Sequence, residues 1–188
     1  MQLKDAIQKR KSIREFSSKK PDWRKIIHAI DYARFAPMAG NFQTIKFILI
    51  DDKEKIKQIQ AACQQDFVGQ AEYIVAAVSN YDYLKKMYPD FAEIYGRQQA
   101  GAAIENFLLA IVELGMATCW VGWFDEAEIK RVLSIPENCV LEAIFPIGFE
   151  SKIPQARVKK ALLENMLYFN KYGNKNKEAR AKVSIEGA

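Results

Sequence analysis

One histidine, three cysteines and no long apolar run mark this sequence, and each scarcity closes off a class of chemistry. No uncharged apolar stretch reaches about 18 residues, so no transmembrane helix is expected. Met1 to Asp5 opens a helical pattern and lacks the apolar run of a signal peptide, which makes a cytoplasmic location the expectation. Cys63, Cys119 and Cys139 are odd in number and form no CxxC pair. They read as buried thiols, with neither a disulfide framework nor a metal site. The lone His28 lies on a helical stretch beside core positions and reads as structural, so a Ser-His-Asp mechanism has no local support. No GxGxxG follows a strand, and no second cofactor motif is present.

What is present is a chain of 188 residues, 49% hydrophobic, enough for one compact domain with a real core. That domain is expected over residues 1–170, with residues 171–188 a basic tail or arm. The net charge of +5 is unevenly placed. Residues 1–25 hold nine Lys or Arg against three acids, +6 for that segment alone, so the rest of the chain is near neutral. A local basic cluster suits a nucleic-acid face or one phosphorylated ligand. No nucleic-acid motif accompanies it, and aromatics do not interleave with its cations, which disfavours the first.

Hydrophobic spacing predicts helices over 3–11 and 22–36, the second capped by Asp22 and stopped by Pro37. Buried strands are expected at 45–50 and 73–79, with a helix over 51–65 between them. Residues 80–97 read as a loop or short helices. The longest helix is expected over Gln98 to Leu114, apolar nearly all round in its second half, with Gly115 following it. Such a helix must be buried on several sides and suits a central place, even a subunit contact. A short strand at 118–121, a helix at 125–133 capped by Asp125, a strand at 140–148 and a helix at 159–169 complete the pattern. The order predicts an α+β fold, an α/β sandwich with a central sheet.

Three segments carry polar chemistry. Arg10-Lys11-Ser12-Ile13-Arg14 ends the first helix and puts two guanidinium groups on one face of a helical turn, with a hydroxyl between them. Arginine forks match a phosphate dianion, although an RxSxR pattern also arises by chance. Pro37-Met38-Ala39-Gly40-Asn41-Phe42-Gln43 is a bent loop whose two amides suit a flat ring edged with N–H and C=O groups, or else cap their own backbone. Cys119-Trp120-Val121-Gly122-Trp123 is a strand and turn that could aim backbone N–H groups at a ring nitrogen, or simply pack two tryptophans.

Taken together, RKSIREF, APMAGNFQTIKF, AAIENFLLAIVELGMATCWVGWF, LSIPE and FPIGFESKIPQARVKK resemble the nitroreductase family of flavoproteins, in the family's order across about residues 3 to 165. Met38 and Thr44-Ile45 stand where relatives often carry Ser or Ala and Pro-Trp, and the long insertion of larger members is missing.

The resemblance implies a nitroreductase-like fold with a mostly antiparallel sheet flanked by helices, and a homodimer with exchanged arms. It implies FMN at the dimer interface, with no role for nucleic acid or membrane. Arg10 and Ser12 are expected at the phosphate, with Lys11 contributing backbone and Arg14 near the N1 and C2-carbonyl edge of the ring. Pro37, Met38, Asn41 and Gln43 are expected to line the ring from the other subunit. Trp120 flanks Val121 and Gly122, whose N–H groups are expected to face N5, and Arg157 or Lys159 returns to the phosphate. The implied activity is ping-pong hydride transfer from NAD(P)H through FMN to small organic acceptors such as nitroaromatics or quinones. Relatives that dehalogenate, consume the flavin or reduce enones define the alternative, and a basic nucleic-acid-binding module is the remote one.

Overall fold

In the computed structural model, which describes residues 1–151 and 159–177, the chain divides into two compact units, Met1–Pro154 and Gln155–Ala188. The first unit is built on four strands: β1 (Ile45–Ile50), β2 (Tyr73–Asn80), β3 (Ala117–Thr118) and β4 (Cys139–Gly148). They form one sheet in the order β1-β2-β4-β3, and every pairing is antiparallel. Its helices are α1 (Leu3–Lys9), α2 (Trp23–Ala33), α3 (Lys53–Cys63), α4 (Asp82–Met87), α5 (Ala92–Glu113) and α6 (Glu126–Leu133). The architecture is the expected α+β sandwich around a central sheet.

Strand β2 shows why the sheet is central. It reads Tyr-Ile-Val-Ala-Ala-Val-Ser-Asn, with apolar side chains on both faces. Tyr73, Val75 and Ala77 join one core with α2 and α5, through Ile26, Ala29, Ala33, Ile104, Phe107 and Ile111. Ile74, Ala76 and Val78 join a second core with α3 and α6, through Ile56, Ile59, Ile129 and Val132. A strand buried on both faces carries a continuous apolar run in place of alternation.

The expected caps are in place. Asp22 accepts from Arg24 N–H at 3.0 Å, and Asp125 accepts from Glu128 N–H at 3.1 Å. Asp52 caps α3, accepting from Glu54 N–H at 2.9 Å and Lys55 N–H at 3.1 Å. Each satisfies N–H groups that a helix start leaves without a partner.

Several expectations need correction. Helix α5 begins at Ala92, so much of the poorly patterned stretch 80–97 is helical: α4 plus the first turns of α5. The mixed aromatic and polar composition there hides the helical period. The strand expected over 118–121 is confined to Ala117–Thr118, and Val121 forms an isolated bridge with Ile144. His28 is exposed, so it sits outside the core face of α2. In the second unit, the helix expected over 159–169 is absent and Leu163–Asn165 makes one 3-10 turn. Leu162, Leu163 and Met166 are exposed there, and a short helix without a packed apolar face is marginal in water. Among the described residues no helix is long and apolar enough to cross a membrane.

The all-round apolarity of α5 is met largely inside the chain: ten of its residues are buried, seven of them in the core shared with α2 and the sheet. Exposed apolar side chains include Leu3 and Ile7 on α1, Trp23, Ile27 and Tyr32 on α2 and Phe35 just after it, with a second group at Tyr83, Met87, Phe91 and Ile94 and the tryptophans Trp120 and Trp123.

Two stability predictions follow from this packing. Phe107 is fully buried, with ring centroids 5.7 Å from Phe47 and 5.4 Å from Phe145. Phe107→Ala is expected to cost about 3–5 kcal/mol in denaturant unfolding, against about 0.5 kcal/mol or less for the exposed Lys57→Ala. Burial also pushes the Cys63 thiol from 9.0 up to about 11. The folded chain therefore keeps a proton that the unfolded chain releases, and stability should fall as pH rises across that interval. Cys63→Ala should flatten the unfolding free energy between those pH values; an unchanged slope would refute the assignment.

Candidate functional site

Helix α1 stops at Lys9, and Arg10, its C-cap, has φ −57° and ψ 122°. The helical turn expected to bring Arg10 and Arg14 together is therefore absent. Ile13 is buried while Ser12 and Arg14 on either side of it are exposed, the alternation of extended chain. In an extended stretch residues 10, 12 and 14 share one side by period two, and roughly 3.3 Å per residue spreads the two arginines by about 13 Å.

The segment is tied down by its backbone. Ile13 N–H donates to Thr118 C=O at 2.9 Å, and Ser17 N–H to Phe149 C=O at 2.9 Å. Ser151 N–H donates to Glu15 C=O at 3.1 Å, and Phe16 bridges Glu150. The stretch thus runs against β3 and the end of β4. Lys11 turns to the other side, with Nζ 2.6 Å from Glu150 Oε1. Arg10 is held 3.7 Å from Glu105 Oε1 of α5, a half-exposed pair of little energetic weight. Arg14 has no carboxylate partner among the described residues.

Cys119 marks where this segment meets the strand end. Burial pushes its thiol pKa up, and the nearby Arg14 charge and a hydrogen bond with Ser12 pull it part of the way back. The Ile13–Thr118 hydrogen bond sets Ser12 and Arg14 beside this strand end, which continues into Trp120, 41% exposed and edge-on to Phe145 at 5.7 Å. Two backbone N–H groups were expected to be available just beyond. Val121 is not one of them: its N–H donates to Ile144 C=O at 2.9 Å, as the sheet bridge requires. Gly122 is exposed, and its N–H has no partner among the described residues.

The loop after α2 takes its shape from two consecutive left-handed residues, Gly40 at φ 59° and Asn41 at φ 60°. A Cβ at position 40 would lie 2.6 Å from the Phe42 ring, so glycine is needed there on steric grounds as well. Asn41 and Gln43 are exposed, and neither side-chain amide is hydrogen-bonded among the described residues. The self-capping alternative for these amides is not what the chain adopts. Pro37 is exposed, whereas Met38 packs partly against the α2/α5 core.

No hydrogen bond, ion pair or ring contact among the described residues joins loop 37–43 to residues 10–14 or 119–122. The structure ties Ser12 and Arg14 to the strand end that leads into Trp120 and Gly122, through Ile13 and Thr118, and holds the loop separately on α5 through Gln99. Lys159 is exposed in the second unit, and Arg157 lies outside the described residues.

Sequence reasoning passed over Gln99, which is 4% exposed and reaches the loop with both ends of its amide. The signal was its place on the buried stripe Gly96, Ala100, Ala103, Phe107, where a polar residue calls for partners. It also passed over the aromatic cluster beside the loop. Phe42 lies 4.0 Å from Tyr83 between ring centroids, and Tyr95 lies 5.5 Å from both Tyr88 and Phe91.

The profile of the Nitroreductase family matches residues 7–67 and 60–149, most of the chain. A putative NADH dehydrogenase/NAD(P)H nitroreductase of Archaeoglobus fulgidus is 29% identical over 148 residues, covering 76% of this chain and 82% of that one. The crystal structure of a nitroreductase family protein from Clostridium novyi NT superposes with a TM-score of 0.75 at 29% identity, covering 93% and 96% of the two chains. An oxidized iodotyrosine deiodinase bound to FMN and 3-iodo-L-tyrosine shares the fold, with a TM-score of 0.77, 22% identity and coverage of 91% and 100%. A family profile spanning most of the sequence, joined to the same fold in solved relatives, places the chain in the nitroreductase family of FMN-dependent oxidoreductases.

Proposed function

We propose that the protein takes hydride from NAD(P)H and delivers it, through bound FMN, to small organic acceptors such as nitroaromatics or quinones. The observation that carries this reading is a set of free polar groups around the end of β3: the exposed Ser12 hydroxyl and the uncompensated Arg14 cation, placed by the Ile13–Thr118 hydrogen bond, and the unpaired Gly122 N–H, left where the Val121–Ile144 bridge stops. That donor set fits an anionic, ring-bearing cofactor. FMN supplies a two-electron carrier, which no side chain of the protein can replace.

In this reading Arg10 and Ser12 hold the phosphate, Lys11 contributes through its backbone, and Arg14 sits at the N1 and C2-carbonyl edge. A cation at that edge raises the reduction potential of the ring. Gly122 N–H is the donor toward N5, and Trp120 covers its flank. Pro37, Met38, Asn41 and Gln43 line the ring from a second copy of the chain. The separation of loop 37–43 from residues 10–14 supports a site shared between two subunits. So does the exposed apolar surface of α1 and α2, which a monomer would leave in water. Arg157 or Lys159 completes the phosphate contacts.

The purified protein is expected to be yellow, with flavin absorbance near about 370 and 450 nm. Hydrogen bonds to a charged group contribute roughly 1.5–3 kcal/mol each, and about 1.4 kcal/mol is a factor of ten. Arg10→Ala should therefore weaken FMN binding about ten- to a hundredfold and leave riboflavin, which lacks the phosphate, nearly unchanged. Equal losses for both ligands in a fluorescence titration would refute the phosphate assignment. Initial rates with NADH or NADPH and menadione should give parallel double-reciprocal lines, because one flavin serves both substrates in turn. Intersecting lines would count against a shared site, and absence of nicotinamide oxidation would favour another reaction of the family.

A further inference from the structure

Gln99 occupies a position where this fold has no packing use for a polar residue. Along α5 the same stripe carries Gly96, buried against Tyr81, and Ala100, Ala103 and Phe107, buried in the core with α2 and the sheet. An amide placed there must find partners or weaken the fold. It finds three, and all belong to one loop. Its Oε1 accepts from Ala39 N–H at 3.0 Å, while its Nε2 donates to Phe42 C=O at 3.4 Å and to Thr44 Oγ1. The polarity of the two backbone groups fixes which way the amide points, so no flipped arrangement satisfies both.

These bonds bracket the left-handed pair Gly40 and Asn41. Glycine and asparagine are the residues that tolerate this conformation, and the flanking bonds to Gln99 fix it in place. Thr44, itself buried, continues the chain of bonds by accepting from Asn80 N–H at 3.0 Å through its carbonyl. The helix that offers Gln99 is rigidly held nearby: Arg97 Nη1 donates to Glu142 Oε2 at 3.0 Å, and Tyr81 donates to the other carboxylate oxygen. The loop is thus clamped from a fixed element, while Asn41 and Gln43 remain exposed and unpaired on its outer side.

We propose that Gln99 is a positioning residue for the flavin ring, fixing residues 39–44 in the shape that presents Asn41 and Gln43 to the isoalloxazine. The assignment rests on the reading of this loop as the ring-lining segment. It makes a commitment that the phosphate assignment does not: Gln99 acts on the ring and is blind to the phosphate.

The test is a flavin-fluorescence titration of full-length variants with FMN and with riboflavin, followed by absorbance spectra and reduction potentials at saturating FMN. Gln99→Leu, which keeps the bulk and removes the bonds, should weaken both ligands by the same factor, roughly tenfold. At saturation its flavin bands and potential should shift from those of the parent. A purely structural role would lower the melting temperature and leave the saturated spectrum and potential unmoved, and that result overturns the proposal. Loss of affinity for FMN alone also overturns it. Should Gln99→Leu fail to fold, Thr44→Val removes a single acceptor and decides the matter. A smaller, equal loss for both ligands with a shifted spectrum supports the proposal, and parent-like binding refutes it. Arg10→Ala run in parallel separates the two readings, because its effect should appear with FMN and vanish with riboflavin. If Arg10→Ala shows no such contrast while Gln99→Leu behaves as stated, the phosphate assignment falls and the ring assignment stands. A parent protein that binds neither flavin defeats both.

Discussion

Burial of α5 between α2 and the sheet is the constraint on which the rest of the molecule depends. Phe107 and Ile111 seat the helix on the inner face of β2 and β4, where Phe145 and Ala143 meet them. Once seated, the helix presents three polar residues at set heights. Arg97 reaches Glu142 at the start of β4, Gln99 reaches the loop after α2, and Glu105 reaches Arg10 at the end of α1. At about 1.5 Å of rise per residue, Gln99 and Glu105 are separated by about 9 Å along the axis. The loop after α2 is thereby referred to a rigid body, which is what a cofactor site built from several pieces needs.

The cationic edge obeys a different economy. Its position comes from a backbone hydrogen bond, Ile13 N–H to Thr118 C=O, and from the burial of the Ile13 side chain. The charged neighbours are turned outward because the apolar one is turned inward. Arg14 therefore keeps its charge uncompensated among the described residues, while Lys11, on the opposite side, is neutralised by Glu150. An uncompensated cation at this position is available for an anionic ligand.

The turn at Val121 and Gly122 shows how finely the sheet sets function. Val121 closes a bridge to Ile144 with both its N–H and its C=O, at 2.9 and 3.0 Å. The bridge ends there, so the next amide is released from pairing at the point where the chain turns away. A backbone donor next to the Ser12 and Arg14 edge is created by where the strand stops.

The amino-acid sequence by itself determined a good deal. The apolar runs of β1, β2 and β4, the aspartates that cap α2 and α6, and the ordered motifs of the family could all be read from local pattern, because strands, caps and motifs depend on nearest neighbours along the chain. The basic segment 10–14 and the loop 37–43 were visible for the same reason. Tertiary structure decided the rest. It decided that residues 10–14 are extended, because Ile13 pairs with β3 and residues 15–17 with the chain just past β4, and the chain cannot also continue α1. It decided that Val121 gives up its N–H to Ile144, and that the exposed leucines near 163 form a single 3-10 turn in place of an α-helix. It decided that Gln99, one glutamine among several in the sequence, is the residue that holds the loop. A hydrogen bond between positions 60 residues apart leaves no trace in local periodicity, and only the packing of α5 brings its two ends together.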